Sequence, residues 1–303
     1  MTDNSVLGKV AYFTAPGVLT VYENMIVYKS PLQLSTPPAP PIREIDDIET
    51  FSLNSRRRLF KLLNAVRFSE YHNPLFLSLT YHYDSPDNKS SLKLFLDNFI
   101  KRLNRALPAF DYIWRLEPQH RGTPHFHFIV LFREVQTSFN LDKIISSIKS
   151  IWLSLKTCKC SDCSTHAVRT NQIKDFKHLS CYISKYLAKI DSSIVPFKFG
   201  RFWGYSRTLN LNPFDSIELS PSSISSLLDY ILQNIDTGKY SKEVANNFIA
   251  DGQSFSFFVN NKLILSKLVS LIRFEAKNKN FSFSELLELS NIQSNSPPLF
   301  YSV

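Results

Sequence analysis

The order of apolar runs and turns in this 303-residue chain predicts an α+β fold: a ferredoxin-like split βαβ core, with an antiparallel sheet and helices on one face. Three observations carry that prediction. Apolar runs of strand length alternate with longer stretches whose leucines and isoleucines recur at helical spacing. Two of the strands, "FDYIWRLEP" (110–118) and "PHFHFIVLF" (124–132), are separated only by the tight turn "QHRGT", as a hairpin requires. Hydrophobic residues make up 44% of the chain, enough for the core of one large domain or two ordinary ones.

The elements follow in order. Residues 8–29, "GKVAYFTAPGVLTVYENMIVYK", are rich in β-branched and aromatic side chains and read as strand, broken at "APG". "PLQLSTPPAPPIRE" (31–44) is a proline-rich linker, extended rather than helical. Ser55 is placed to cap a helix over "RRRLFKLLNAVRF" (56–68), and "HNP" breaks the chain after it. "LFLSLTYHY" (75–83) reads as a buried strand, "DSPDNKS" as a turn and "SLKLFLDNFIKRLNRAL" (91–107) as an amphipathic helix. The hairpin comes next, then a helix over "NLDKIISSIKSIWLSL" (140–155). A strand is expected in "HAVRTNQI" (166–173), a helix over 177–189 and a last strand in "RFWGYSRTLNL" (201–211). Beyond about residue 215 the spacing predicts helices, at 220–235, 242–250 and 283–292. The expected division is a strand-rich extension with its linker (1–54), an α+β domain (55–214) and a helical C-terminal region (215–303).

Lysines and arginines number 35 against 26 acids, a net charge of +9. That excess suits a polyanionic partner such as nucleic acid, because neutralising phosphates releases counterions. It gathers partly in "SRRRLFK" (55–61) and "IKRLNR" (100–105). No apolar run is long enough to span a bilayer. The opening "MTDNSVLGKV" lacks the basic and then apolar profile of a signal peptide. A soluble, cytoplasmic protein is therefore expected. Three of the cysteines, Cys158, Cys160 and Cys163, lie within six residues of each other, and Cys181 follows at a distance. This is not the pattern of a secreted disulfide framework. With His166, the three cysteines of "CKCSDCSTH" form a zinc-like set, although four ligands in nine residues is tighter than usual zinc spacing. A polar loop of reduced thiols is the other reading.

The stretch that carries chemistry is "WRLEPQHRGTPHFHFIVLF" (114–132). In a strand, residues i and i+2 point to one side, so His125 and His127 project together while Phe126 and Phe128 face away. Two imidazoles at that spacing can hold one divalent ion. With the turn centred near Arg121, Glu117 lies across from His125 and Arg115 across from His127, within cross-strand reach. The result is a site of two histidines and one carboxylate with open positions, a mixed nitrogen and oxygen set suited to Mg2+ or Mn2+. Alternation by itself is what any half-buried strand shows; Glu117 at a hairpin-consistent position is what favours the metal reading. Arg115 shares the ligand face and is placed either to contact a phosphate or to form a salt bridge.

A second stretch, "CYISKYLAKI" (181–190), repeats tyrosine and lysine at helical spacing. Tyr182, Lys185, Tyr186 and Lys189 share a helix face. They form either a cluster of phenols and ammonium groups or an amphipathic helix with aromatic core residues. Trp203 and Tyr205 alternate on a strand and suit either stacking on unpaired bases or the core. His82, after the first core strand, suits a supplementary ligand, a DNA contact or a plain surface position, and His120 carries no assignment.

Four stretches in this order resemble the HUH endonucleases, named for their His-hydrophobe-His motif. "LFLSLTY" resembles the family's first strand motif, and "EPQHRGTPHFHFIVLF" its metal-binding motif. "YISKYLAK" resembles the helix of paired tyrosines, and "GRFWGYSR" (200–207) a stretch downstream of it. The resemblance covers roughly residues 55–211. It is narrowest to the rolling-circle replication initiators of single-stranded DNA phages, of the microvirus gene A type, and of plasmids. It implies a metal at Glu117, His125 and His127, and Tyr182 as the nucleophile with Tyr186 as its alternate. It further implies Lys185 as a helper; Lys189 and Trp203 are expected on the DNA. The expected partners are single-stranded origin DNA and a host helicase and polymerase, in the cytoplasm of a bacterial host. No P-loop is present, so no built-in helicase is expected. A paired-tyrosine HUH transposase shares this chemistry. A non-catalytic single-strand-binding protein would explain the charge but not the triad, and a His-x-His metal hydrolase would not explain the tyrosines.

Overall fold

The structure is a computed structural model. It describes residues 16–30, 51–81, 89–118, 123–134, 140–155, 166–173, 201–225, 255–259 and 300–302, with 227, 266, 269, 270 and 273. In chain order the elements are β1 (Gly17–Val21), β2 (Met25–Lys29), α1 (Leu53–Ala65), β3 (His72–Thr80), α2 (Lys89–Ala106), β4 (Phe110–Pro118) and β5 (Pro124–Phe132). They continue with α3 (Leu141–Leu155), β6 (Val168–Gln172), β7 (Trp203–Tyr205), β8 (Asp215–Leu219), β9 (Phe255–Val259) and β10 (Phe300–Ser302). The chain divides into two compact units. One comprises Arg43–Leu63 and Arg67–Asn210; the other comprises Met1–Ile42, Asn64–Val66 and Leu211–Val303.

The first unit holds a five-stranded antiparallel sheet in the order β6-β3-β5-β4-β7. With α2 and α3, strands β3 to β6 make the expected split βαβ core. Strand alternation sends Leu75, Leu77 and Leu79 of β3 and Phe126, Phe128 and Val130 of β5 to one face. There they meet Leu92, Phe95, Phe99 and Leu103 of α2 and Ile144, Ile148 and Trp152 of α3. Trp152 is completely buried, and its indole meets Phe95 and Phe99 edge-on. A core aromatic of this size contributes ~3–5 kcal/mol. Helix α3 starts where it does because the Asn140 side chain accepts the Lys143 N–H at 2.9 Å, and Asp142 in its first turn suits the helix dipole.

Three local expectations change. Helix α1 begins at Leu53, capped by the Ser52 hydroxyl, which accepts the Ser55 N–H at 3.2 Å. Ser55 itself accepts the Trp203 indole N–H at 2.9 Å. The "HNP" sequence does not precede β3 but opens it, as an irregularity between His72 and Leu75 with Asn73 at φ 44°. Asparagine is among the few side chains that take that left-handed conformation readily. The strand expected over 201–211 is confined to Trp203–Tyr205, and beyond it Ser206 and Thr208 donate their hydroxyls to Asp111. Gly204 sits opposite Trp114; a Cβ there would lie 2.8 Å from the Trp114 indole nitrogen, so only glycine lets β7 pack this closely.

The second unit is built on a sheet in the order β10-β9-β2-β1-β8. Strands β1 and β2 fall within the stretch expected to be extended. The described residues beyond 214 depart from the helical expectation only in part: they supply three strands, β8, β9 and β10, beside helical residues that include 227, 266, 269, 270 and 273. Strand β8 alternates buried and exposed side chains against β1, and β9, "FSFFV", is aromatic and β-branched, a composition that favours strand. A helical turn occupies 221–225. The helices expected at 177–189, 242–250 and 283–292 lie outside the described residues. Among the described residues no helix is long and apolar enough to cross a membrane.

Candidate active site

The face of the first sheet turned away from α2 and α3 gathers the polar residues. Strands β4 and β5 pair with Glu117 opposite His125 and Arg115 opposite His127, the register expected of a turn centred near Arg121. On the other side of β5, Ser78 of β3 stands opposite His127 and Thr80 opposite His125. Arg169 of β6 pairs with Ser78, and Trp203 of β7 with Arg115. Residues directly opposite across a ladder share a face, so these eight side chains belong to one surface spanning all five strands.

The two histidines are held in the same way. Thr80 Oγ1 lies 2.8 Å from Nδ1 of His125, and Ser78 Oγ lies 3.3 Å from Nδ1 of His127. A hydroxyl can donate to or accept from an imidazole nitrogen. At His125 the hydroxyl can accept an Nδ1 proton and leave the Nε2 lone pair for a ligand; at His127, where Nε2 donates to the Glu117 carboxylate, a neutral ring instead accepts the Ser78 proton on Nδ1. Nε2 of His127 is 2.9 Å from Glu117 Oε2. The His127 ring stacks on Phe76 and meets His125 edge-on, with centroids 5.4 and 4.6 Å away.

The electrostatics follow from this packing. Burial, reinforced by His127 and Arg169 and opposed by Glu117, pushes the His125 pKa down to about 4. Its imidazole is thus neutral at physiological pH, the form that binds metal. The hydrogen bond from His127 holds the Glu117 carboxyl below its ordinary range against the effect of burial, and Arg115 adds to the shift. Arg115 shares the face as expected, but its side chain is completely buried, with the guanidinium 4.7 Å from the centre of the Phe51 ring. That complete burial closes off the direct phosphate contact expected of it. Its charge acts inside the protein, on Glu117.

Among the described residues no three His, Cys, Asp or Glu side chains already converge on a metal position; Glu117 and His127 are hydrogen-bonded to each other instead. The donor set nonetheless fits a divalent cation. Two ligands bound cis at ~2.1 Å stand ~3 Å apart, close to the 2.9 Å between Nε2 and Oε2. Sequence reasoning missed Ser78, Thr80 and Arg169. The signal for the first two was the polar alternation inside "LFLSLTY". His166 is exposed just ahead of β6. Tyr182, Lys185, Tyr186 and Lys189, together with Cys158, Cys160 and Cys163, lie outside the described residues, as do His82 and His120.

Residues 74–191 match a family model for the replication-associated protein ORF2. This is a family of the rolling-circle Rep type. The match begins in β3, takes in the core through β6 with Glu117, His125 and His127, and reaches past Tyr182 and Tyr186; β7 lies beyond it. Comparison with curated proteins and with solved structures returned no match.

Proposed function

We propose that this protein initiates rolling-circle DNA replication by nicking single-stranded origin DNA through tyrosine transesterification. The observation that carries the reading is the pairing of His125 and His127, each fixed through Nδ1 by a β3 hydroxyl, with the Glu117 carboxylate beside them. That cluster falls inside the replication-associated match, which also takes in Tyr182 and Tyr186. The match favours an initiator over a transposase of the same chemistry.

Glu117, His125 and His127 would hold Mg2+ or Mn2+, which when bound offsets the charge developing on the scissile phosphate. The hydrogen bond from His127, with Arg115 behind it, favours the ionised Glu117, and Ser78 and Thr80 keep the imidazoles oriented. The phenolic oxygen of Tyr182 attacks phosphorus. An O–P bond to the 5′ side forms, the P–O3′ bond breaks, and the phenolic proton passes in balance to the released 3′-hydroxyl. A phenol titrates near pH ~10, so Lys185, three residues further along the sequence, would favour its ionisation. The phosphotyrosine link conserves the bond energy for rejoining, and Tyr186 makes the second cut once the origin is regenerated. The free 3′-hydroxyl serves a host polymerase, with a host helicase opening the duplex.

The test is a protease-sensitive covalent adduct between the protein and labelled single-stranded origin DNA in Mn2+. Tyr182→Phe should abolish it, and Tyr186→Phe should spare it while impairing termination. Full adduct formation by Tyr182→Phe refutes the assignment of the nucleophile, and no adduct across a broad set of origins refutes nicking.

A further inference from the structure

Strand β7 lies outside the family match and takes no part in the chemistry above, yet it displays an unusual surface. Trp203 and Tyr205 project from the same side of the sheet as the histidine cluster, since Trp203 pairs with Arg115 and Arg115 with His127. Their rings lie nearly parallel, with centroids 6.0 Å apart and an interplanar angle of 17°. The inner ring is fixed by the hydrogen bond from its indole N–H to Ser55. The outer ring is open, and Tyr205 is 41% exposed on the edge strand of the sheet. Arg201 and Arg207, both exposed, flank the pair in sequence.

We infer that Trp203 and Tyr205 form a base-stacking subsite, in which an unpaired base of single-stranded DNA lies on the outer face of Tyr205. The inference rests on the nicking reading for the strand's identity but not for its chemistry. A core role does not explain the exposure of Tyr205, and Gly204 is what lets β7 turn this ring outward while staying packed on Trp114. At 6.0 Å the rings already sit in the offset-stacked range of ~4.5–7 Å. No base enters between them; a base extends the stack by one layer. Because the inner ring is anchored, little side-chain entropy is lost on binding. The neighbouring arginines favour a phosphate backbone over a neutral partner. Trp203 stands two strands from His127, ~10 Å across the ladder, and Tyr205 lies two residues, ~7 Å, further along β7, so the stacked base belongs within a few nucleotides of the scissile phosphate. The interaction is indifferent to base identity, since every base offers a π face.

The test is fluorescence anisotropy with a labelled oligo-dT strand and, in parallel, an abasic strand of equal length. Stacking is worth ~1–3 kcal/mol per base, so Tyr205→Ala should weaken oligo-dT binding about 5- to 150-fold. It should leave abasic binding and the salt slope unchanged, because no phosphate contact is lost. Tyr205→Phe should bind like the parent protein. Oligo-dT affinity unchanged in Tyr205→Ala, or an equal loss on the abasic strand, overturns the subsite and leaves the patch to a protein partner. The adduct assay separates the two proposals. Adduct formation alongside an inert Tyr205→Ala sinks only the subsite, and a weakened Tyr205→Ala in a protein that forms no adduct sinks only the nicking.

Discussion

Replacing Asp111 with asparagine should loosen the sheet unit that carries the site. Asp111 is 1% exposed, and its carboxylate gathers donors from three separated places. Oδ1 accepts from Arg133 Nη2 at 2.9 Å, Ser206 Oγ at 2.6 Å and Thr208 Oγ1 at 2.5 Å. Oδ2 accepts from Tyr71 Oη and from Arg133 Nε, both at 2.9 Å. An amide has one accepting oxygen, so at best the donors at one carboxylate oxygen are kept and the others face an NH2. A hydrogen bond to a charged group is worth ~1.5–3 kcal/mol. Losing the smaller set removes two, and Arg133, with a side chain 39% exposed, regains part of its share from water. The expected loss is ~2–4 kcal/mol, against a usual total of ~5–15 kcal/mol. The assay is urea unfolding followed by tryptophan fluorescence, which reports this unit alone because Trp114, Trp152 and Trp203 all belong to it. Burial pushes the Asp111 carboxyl up, but the hydrogen bonds from Arg133, Ser206, Thr208 and Tyr71 outweigh it and hold the pKa below its ordinary value. The carboxylate's stabilisation is therefore complete above the unfolded pKa of ~3.9 and lost as pH falls through the depressed folded value. The gap between the parent protein and Asp111→Asn should be flat near neutrality and close in acid. A loss under ~1 kcal/mol, or a gap that does not narrow in acid, refutes the reasoning.

Two further substitutions probe the site's supports. Gly204→Ala places a Cβ 2.8 Å from the Trp114 indole nitrogen. It should cost ~1–3 kcal/mol in the same urea titration, and an unchanged midpoint would mean that β7 is not packed as described. Thr80→Val keeps the shape but removes the hydroxyl 2.8 Å from His125 Nδ1. Loss of such an outer partner should weaken Mn2+ binding about 10- to 100-fold by isothermal titration calorimetry, and equal affinity would argue that His125 is not a ligand.

The hairpin was legible because a tight turn between two alternating strands leaves one register with both apolar faces inward, and that register brings Glu117 to His125. The core helices were legible from their apolar stripes. What stayed hidden depends on pairing between distant segments. "LFLSLTY" shows that Ser78 and Thr80 are polar, but only the register of β3 on β5 shows that they meet imidazoles. The burial of Arg115 depends on Phe51, which alternation along β4 cannot reveal. Strands β8 and β9 take their partners from β1 and β2, far back in the chain, so local spacing around 215–259 had no access to the sheet they join. The cap at Ser52 was missed because Ser55, equally suitable by type, is used by Trp203 instead.

The two faces of one sheet divide the work by burial. The apolar face takes α2 and α3 and fixes the strands, which sets the opposing side chains to within a hydrogen bond's tolerance. On the other face, charge is sorted by depth. Arg115, shielded by Phe51, is too deep to meet a strand but close enough to favour an ionised Glu117, while burial keeps His125 neutral. The exposed cations, Arg169 on β6 and Arg201 and Arg207 around β7, lie toward the two edges of the sheet. A polyanion drawn to those edges meets at the centre an anionic ligand set rather than a competing arginine. On the nicking reading proposed above, such a centre would take a cation, whose charge would offset that of the phosphate. An exposed Arg115 would instead pair with the phosphate or with Glu117 and weaken the demand for a metal. The buried arginine therefore makes chemical sense as a charge that acts on Glu117 behind the His127 hydrogen bond, and under the proposed function the DNA's contacts would fall at the edges of the sheet.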